Sequence, residues 1–199
     1  MKFFETSEEY SLNKSTYVNL RWIAYIGQLI TILFVKFILE LNFDYLFCIL
    51  IVLFGVLSNF YLLLRIKINQ LNNKLSTYFL LIDIFQISSL FVITGGITNP
   101  FIFLIIIPSI ISSQYLSYLS SITLSLITII FLILLSFFYY DMPHTGELHF
   151  HTPNYYLYSI PLSIIIGLCF LVYFGFKFGE ESRVRKKAYE RIQEIMARE

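Results

Sequence analysis

The sequence has little of what marks a soluble enzyme or a disulfide-built domain. Its two cysteines, Cys48 and Cys169, lie inside apolar runs with no CxxC neighbour and no nearby histidine. That excludes a thiolate metal site or redox pair of the usual spacing and leaves them as small residues of membrane helices. No internal repeat of fixed period is present. The N-terminal stretch MKFFETSEEYSLNKSTY is acidic and polar and lacks a small-residue cleavage site, so it is not read as a signal peptide. Most telling is the scarcity of charge: from Phe101 to Tyr140 there is none.

What fills the space is apolar. Hydrophobic residues make up 57% of the 199, and the mean hydropathy is +0.74. A soluble domain holds about 45–50%. The excess comes in blocks near the length that a bilayer core of about 30 Å requires. The chain therefore reads as an all-α membrane protein with six spans. These run from about Trp22 to Leu39, Tyr45 to Leu64, Ser76 to Ile93, Pro100 to Leu116, Ser120 to Tyr139 and Tyr156 to Phe176. The uncharged stretch is divided at SQYLSYLSS because its length is too great for one crossing of about 20 residues.

Basic residues set the orientation. Thirteen of the fourteen Lys and Arg residues, all but Lys36, fall before span one, between spans two and three, or after span six. By the positive-inside tendency, both termini are expected in the cytoplasm. Three regions follow: a cytoplasmic segment 1–20, a six-helix domain 21–176, and a cytoplasmic helix 177–199. In this last region Ala188, Ile192 and Ile195 recur at helical spacing among charges, as in a short amphipathic helix or the opening of a coiled coil. Gly175 and Gly179 before it suit either a hinge or close helix packing. The near-neutral net charge of +1 gives no reason to expect nucleic acid as a partner.

Within this apolar chain, GGITNPF at Gly95–Phe101 stands out. Gly95 and Gly96 take positive φ readily and suit the end of span three. Pro100 disfavours the helical conformation at Asn99 and is itself favoured at a first helical position, so span four is expected to start abruptly there. Pro108 should then kink it. Such a start leaves amides without intrahelical partners. Together with Thr98, Asn99 and the rings of Phe101 and Phe103, these suit a flat apolar ligand bearing carbonyl oxygens. In span three, Asp83 is costly in lipid and must face protein or water. It is expected to cluster with Gln86, one turn away, and with Gln28 of span one, either as helix glue or as a switch coupled to the ligand.

Two stretches carry a family resemblance. GGITNPF matches every fixed position of the GGxxNPF heptapeptide of the RegB/PrrB/ActS redox-sensing histidine kinases. LRWIAYIGQ, Leu20 to Gln28, resembles the LRWxAxxGQ stretch that opens the family's first span. The resemblance implies a sensor module in the bacterial inner membrane. It implies ubiquinone bound at Gly95, Gly96, Asn99, Pro100 and Phe101, with Ile97 and Thr98 at the variable positions. It also implies a homodimer, contact with membrane lipid, and a response regulator reached through an ATP-dependent autokinase core. No histidine box or ATP-binding region is present, so this chain carries no catalytic residues. It reads as the sensor half, ending before the dimerisation helix.

Two other classes are open. His144, His149 and His151 share one loop with Asp141 and Glu147, which suits a metal-responsive protein. A small transporter would want broken helices paired near the midplane, and only Pro108 and Pro161 hint at them.

Overall fold

The computed structural model describes residues 10–140 and 154–198. The order is β1 (Ser11–Asn13), α1 (Lys14–Phe37), α2 (Tyr45–Arg65), β2 (Gln70–Asn72), α3 (Asn73–Ile93), 3₁₀ turns at Gly96–Thr98 and Ile102–Ile106, α4 (Ile107–Tyr115), α5 (Tyr118–Phe137) and α6 (Asn154–Met196). Among the described residues, five helices, all but α4, are long and apolar enough to cross a membrane. The protein is a multi-pass membrane protein whose candidate spans expose broad apolar flanks, as a lipid-facing bundle does.

The helices start where local chemistry dictates. The side chains of Asn13, Asn72 and Ser117 accept from the backbone of Thr16, Leu75 and Ser120 and so cap α1, α3 and α5. Helix α1 begins at Lys14, ahead of the expected boundary at 21. The two short strands, not anticipated in an all-α reading, pair antiparallel with Leu12 opposite Leu71. Both leucines are buried. The pair ties the chain entering α1 to the chain entering α3, and Lys14 Nζ donates to the carbonyls of Leu63 and Ile66 at the end of α2.

The fourth passage differs most from expectation. It is not a continuous helix from Pro100 but a turn, a stretch of 3₁₀ and the nine-residue α4. It nevertheless runs the length of the bundle. At one end Tyr140 N donates to Val92 O. At the other, the Asn73 side chain bonds Ser117 and Ser120. The 3₁₀ rise of about 2.0 Å per residue, against about 1.5 Å in α-helix, lets fewer residues cover the distance. Pro108 does not kink a helix; it sits in the first turn of α4, where its missing N–H is no loss.

The tail is not a separate short helix. Helix α6 runs through Pro161 and both glycines for 43 residues, about 65 Å, so the charged segment is a continuous extension of the last span.

Candidate functional site: a groove between α1 and α4

Helix α1 packs mainly on α2, and α4 on α5 and α6. Neither covers the strip of α3 between them. That strip floors a groove of about 680 Å³, walled by α1 on one side and by the segment from Asn99 to Ile111 on the other. Its rim residues Ile23, Phe101 and Ile107 are exposed. A volume of a few hundred Å³ with apolar walls and few polar groups is typical of small-molecule sites.

The heptapeptide divides across this site. Gly95 has φ 105° and ends α3; Gly96 has φ 54°. A Cβ on Gly96 would strike the Tyr139 ring and Leu135 O. Ile97 is fully buried with Ile102, Ile105, Leu132 and Leu135. These residues, with Thr98, whose hydroxyl donates to Gly95 O at 2.6 Å, do not line the groove. Asn99, Pro100 and Phe101 do.

Asn99 is extended as expected, with φ −64° and ψ 127°. Its Nδ2 donates to Thr94 O and Thr94 Oγ1, both at 2.8 Å, and its Oδ1 accepts from Phe101 N at 2.9 Å. Ile102 N donates to Asn99 O at 3.0 Å. The amides expected to be open at the start of span four are thus partly taken up by the turn itself. With no water in a bilayer core, backbone groups left bare cost several kcal/mol each, and Asn99 supplies the internal partners.

Gln28 and Gln86 meet as anticipated, Nε2 to Oε1 at 2.9 Å. Asp83 does not bond to either of them. One turn away, it receives Arg21, with Nε at 2.9 Å and Nη2 at 2.8 Å from Oδ1. Tyr25 donates to the same oxygen at 3.2 Å, and Tyr17 donates to the other. The guanidinium also reaches Ser58 and Asn59 of α2 and lies about 5.5 Å from the ring centres of Tyr17 and Tyr25.

Arg21 was counted above among the charges flanking span one. It is instead 3% exposed and joins three helices, because burial in a bundle demands a partner for Asp83. The signal was in the sequence. Tyr17, Arg21, Tyr25 and Gln28 recur at four-, four- and three-residue spacing, one face of a helix. All four line the groove with Asp83 and Gln86.

On its far side, α4 is held by α6. Gly175 lies where any Cβ would strike Ser113 Oγ, and a Cβ on Gly179 would strike Gln114 O. Arg183 Nη1 donates to that carbonyl at 3.3 Å, and Tyr118 and Phe176 pack with ring centres 4.6 Å apart. The glycines serve close packing, and the helix is unbroken through them. The same short helix therefore forms one wall of the groove and the seat of α6. His144, His149 and His151, with Asp141 and Glu147, lie outside the described residues. Lys36, on α1 near its end, stands over the Tyr45 ring.

The fold and groove define a class: a multi-pass helical membrane domain whose last span continues as a charged rod. The sensor histidine kinase RegB of Cereibacter sphaeroides is 29% identical to this chain over 188 residues, covering 92% of it. The chain spans 40% of the length of that relative. No family model and no solved structure matches the chain.

Proposed function

We propose that this chain is the redox-sensing membrane module of a two-component histidine kinase and that its groove binds ubiquinone. One observation carries the reading: a lateral, apolar groove of small-molecule size has Asn99, Pro100 and Phe101 of the heptapeptide on its rim and a polar floor beneath. A flat ring with carbonyl oxygens and a hydrocarbon tail enters such a groove sideways from lipid. By the distribution of basic residues both termini face the cytoplasm, and the likeness to a bacterial sensor kinase supports a location in the inner membrane. Two copies pair through the extension of α6. A cytoplasmic autokinase then passes phosphate to a response regulator.

The relay runs through α4. A ligand shifts a signalling equilibrium only if it binds the two states with different affinity. Quinone wedged against Phe101, Leu104 and Ile107 bears on the wall that seats Gly175, Gly179 and Arg183 of α6. The two states then differ in how α4 and α6 pack.

Decylubiquinone binding to the purified protein in nanodiscs tests this, with and without Phe101→Ala and Asn99→Ala. Weaker binding on Phe101→Ala is expected, since that side chain lines the groove and is 44% exposed. Unaltered affinity in both variants ends the site assignment. Phe101→Ala is the cleaner arm, because Asn99 also holds the turn together.

A further inference from the structure

Asn99, Pro100 and Phe101 of the heptapeptide line the groove, but the heptapeptide's hydrogen-bonding groups are largely spent on itself. Asn99 bonds Thr94 and Phe101, Thr98 bonds Gly95, and the Thr94 hydroxyl also donates to Leu90 O. The Arg21–Asp83 cluster is likewise engaged with its own tyrosines. The Gln28–Gln86 pair is different. Two primary amides share one hydrogen bond. With Gln86 Nε2 donating to Gln28 Oε1, the Gln28 N–H donors and the Gln86 carbonyl remain, and among the described residues no other side-chain bond to either glutamine is formed.

We propose that the Gln28–Gln86 amide pair is the head-group subsite of the groove. It takes a ring oxygen of the quinone, with the heptapeptide rim packing above it. The inference rests on the quinone reading and places the ring within it. Gln86 lies eight residues before Thr94 on α3, about 12 Å along the helix, so the two positions are separable. There is room beside the pair: a Cβ added to Gly27, which also lines the groove, meets nothing within 4 Å. The free donor suits a quinone carbonyl and the free acceptor a quinol hydroxyl. Lipid tails satisfy neither.

A photoreactive ubiquinone analogue with its azide on the ring, applied to the wild-type protein in nanodiscs and mapped by mass spectrometry, is the primary test. Labels within 24–32 and 83–90 support the subsite. Labels confined to 94–104 overturn it while leaving the quinone reading intact. No specific labelling and no decylubiquinone binding at all overturn both.

Variants give the second arm. Gln28→Leu and the double variant Gln28→Leu/Gln86→Leu are each expected to weaken decylubiquinone about tenfold. Neither should alter binding of a decylbenzene probe that lacks the oxygens. The double variant exchanges both amides for apolar groups, which keeps the helix contact filled if the single variant folds poorly. Equal loss of both probes, or unchanged decylubiquinone affinity in the double variant, overturns the assignment.

Discussion

Helices α1, α2 and α3 meet at a guanidinium; helices α4, α5 and α6 meet at hydroxyls and glycines. In the first group, Arg21 bonds Asp83, Ser58 and Asn59 at once, and Asn59 reaches back to Val18 O at 3.3 Å. Such contacts are directional and hold one geometry. In the second group, Ser109 meets Thr128 at 2.9 Å, Ser121 donates to Ser112 O at 2.7 Å, and Gly175 sits on Ser113. Close packing of small residues lets backbones approach, and hydroxyl bonds between membrane helices average only about 0.6 kcal/mol. The groove thus lies between a wall fixed by charge and a wall held by many small contacts. On the function proposed above, that asymmetry makes the wall that seats the outgoing helix the one suited to move.

The largest effect tests the fixed side. Asp83→Leu alone strands the guanidinium of Arg21, and removing one partner of a buried pair costs about 3–5 kcal/mol. The double variant Arg21→Leu/Asp83→Leu removes both charges and is expected to recover much of that loss. Thermal unfolding in detergent compares them; a double variant no more stable than Asp83→Leu would mean that the pair is not what joins the helices.

The next effect tests the other side. Gly175→Ala drives a methyl onto Ser113, and overpacking costs about 1–3 kcal/mol. Ser113→Gly removes the opposing hydroxymethyl, so Gly175→Ala/Ser113→Gly is expected to be more stable than Gly175→Ala. Without that compensation, α6 does not seat on α4 at this point.

Much of this architecture is legible in the residues. The second, third and fifth spans were placed within three residues of the observed helices at either end, because long apolar runs ended by polar turns leave little freedom. The positive φ of both Gly95 and Gly96, the extended Asn99 and the Gln28–Gln86 bond followed from chemistry local to each residue or from matching depth. What failed depended on neighbours far along the chain. Arg21 looked like a flanking charge because hydropathy counts sign and not partners. The helix start was assigned to Pro100, though Pro108 occupies it. Burial of Ile97, Ile102 and Ile105 against α5 holds the intervening residues in 3₁₀ turns, and no local rule reports that. The Leu12–Leu71 strand pairing joins segments nearly sixty residues apart, and three residues on each side are too few to show a period.

Smaller effects separate the structural from the ligand-facing part of the heptapeptide. Asn99→Ala removes the side-chain bonds to Thr94 and Phe101 N and leaves the Phe101 N–H donor and the Thr94 carbonyl acceptor bare, for a cost of about 1–3 kcal/mol. Hydrogen exchange should rise across 94–102 and stay unchanged around Asp83. An equal rise at Asp83 would show that the turn and the ion pair unfold as one unit.

Phe101→Ala is expected to be the mildest change in stability. Its ring is 44% exposed, and substitutions away from caps, cores and buried networks usually fall within about 0.5 kcal/mol. Its effect belongs to binding instead. A variant with an unshifted unfolding midpoint and weakened decylubiquinone affinity would assign the ring to the ligand. A large drop in stability would instead assign it to the packing of the fold, together with Gly96 and Ile97. Phe103, expected from the sequence to flank the ligand with Phe101, is 53% exposed and does not line the groove, so Phe103→Ala is a natural control that should leave both stability and quinone affinity as they are.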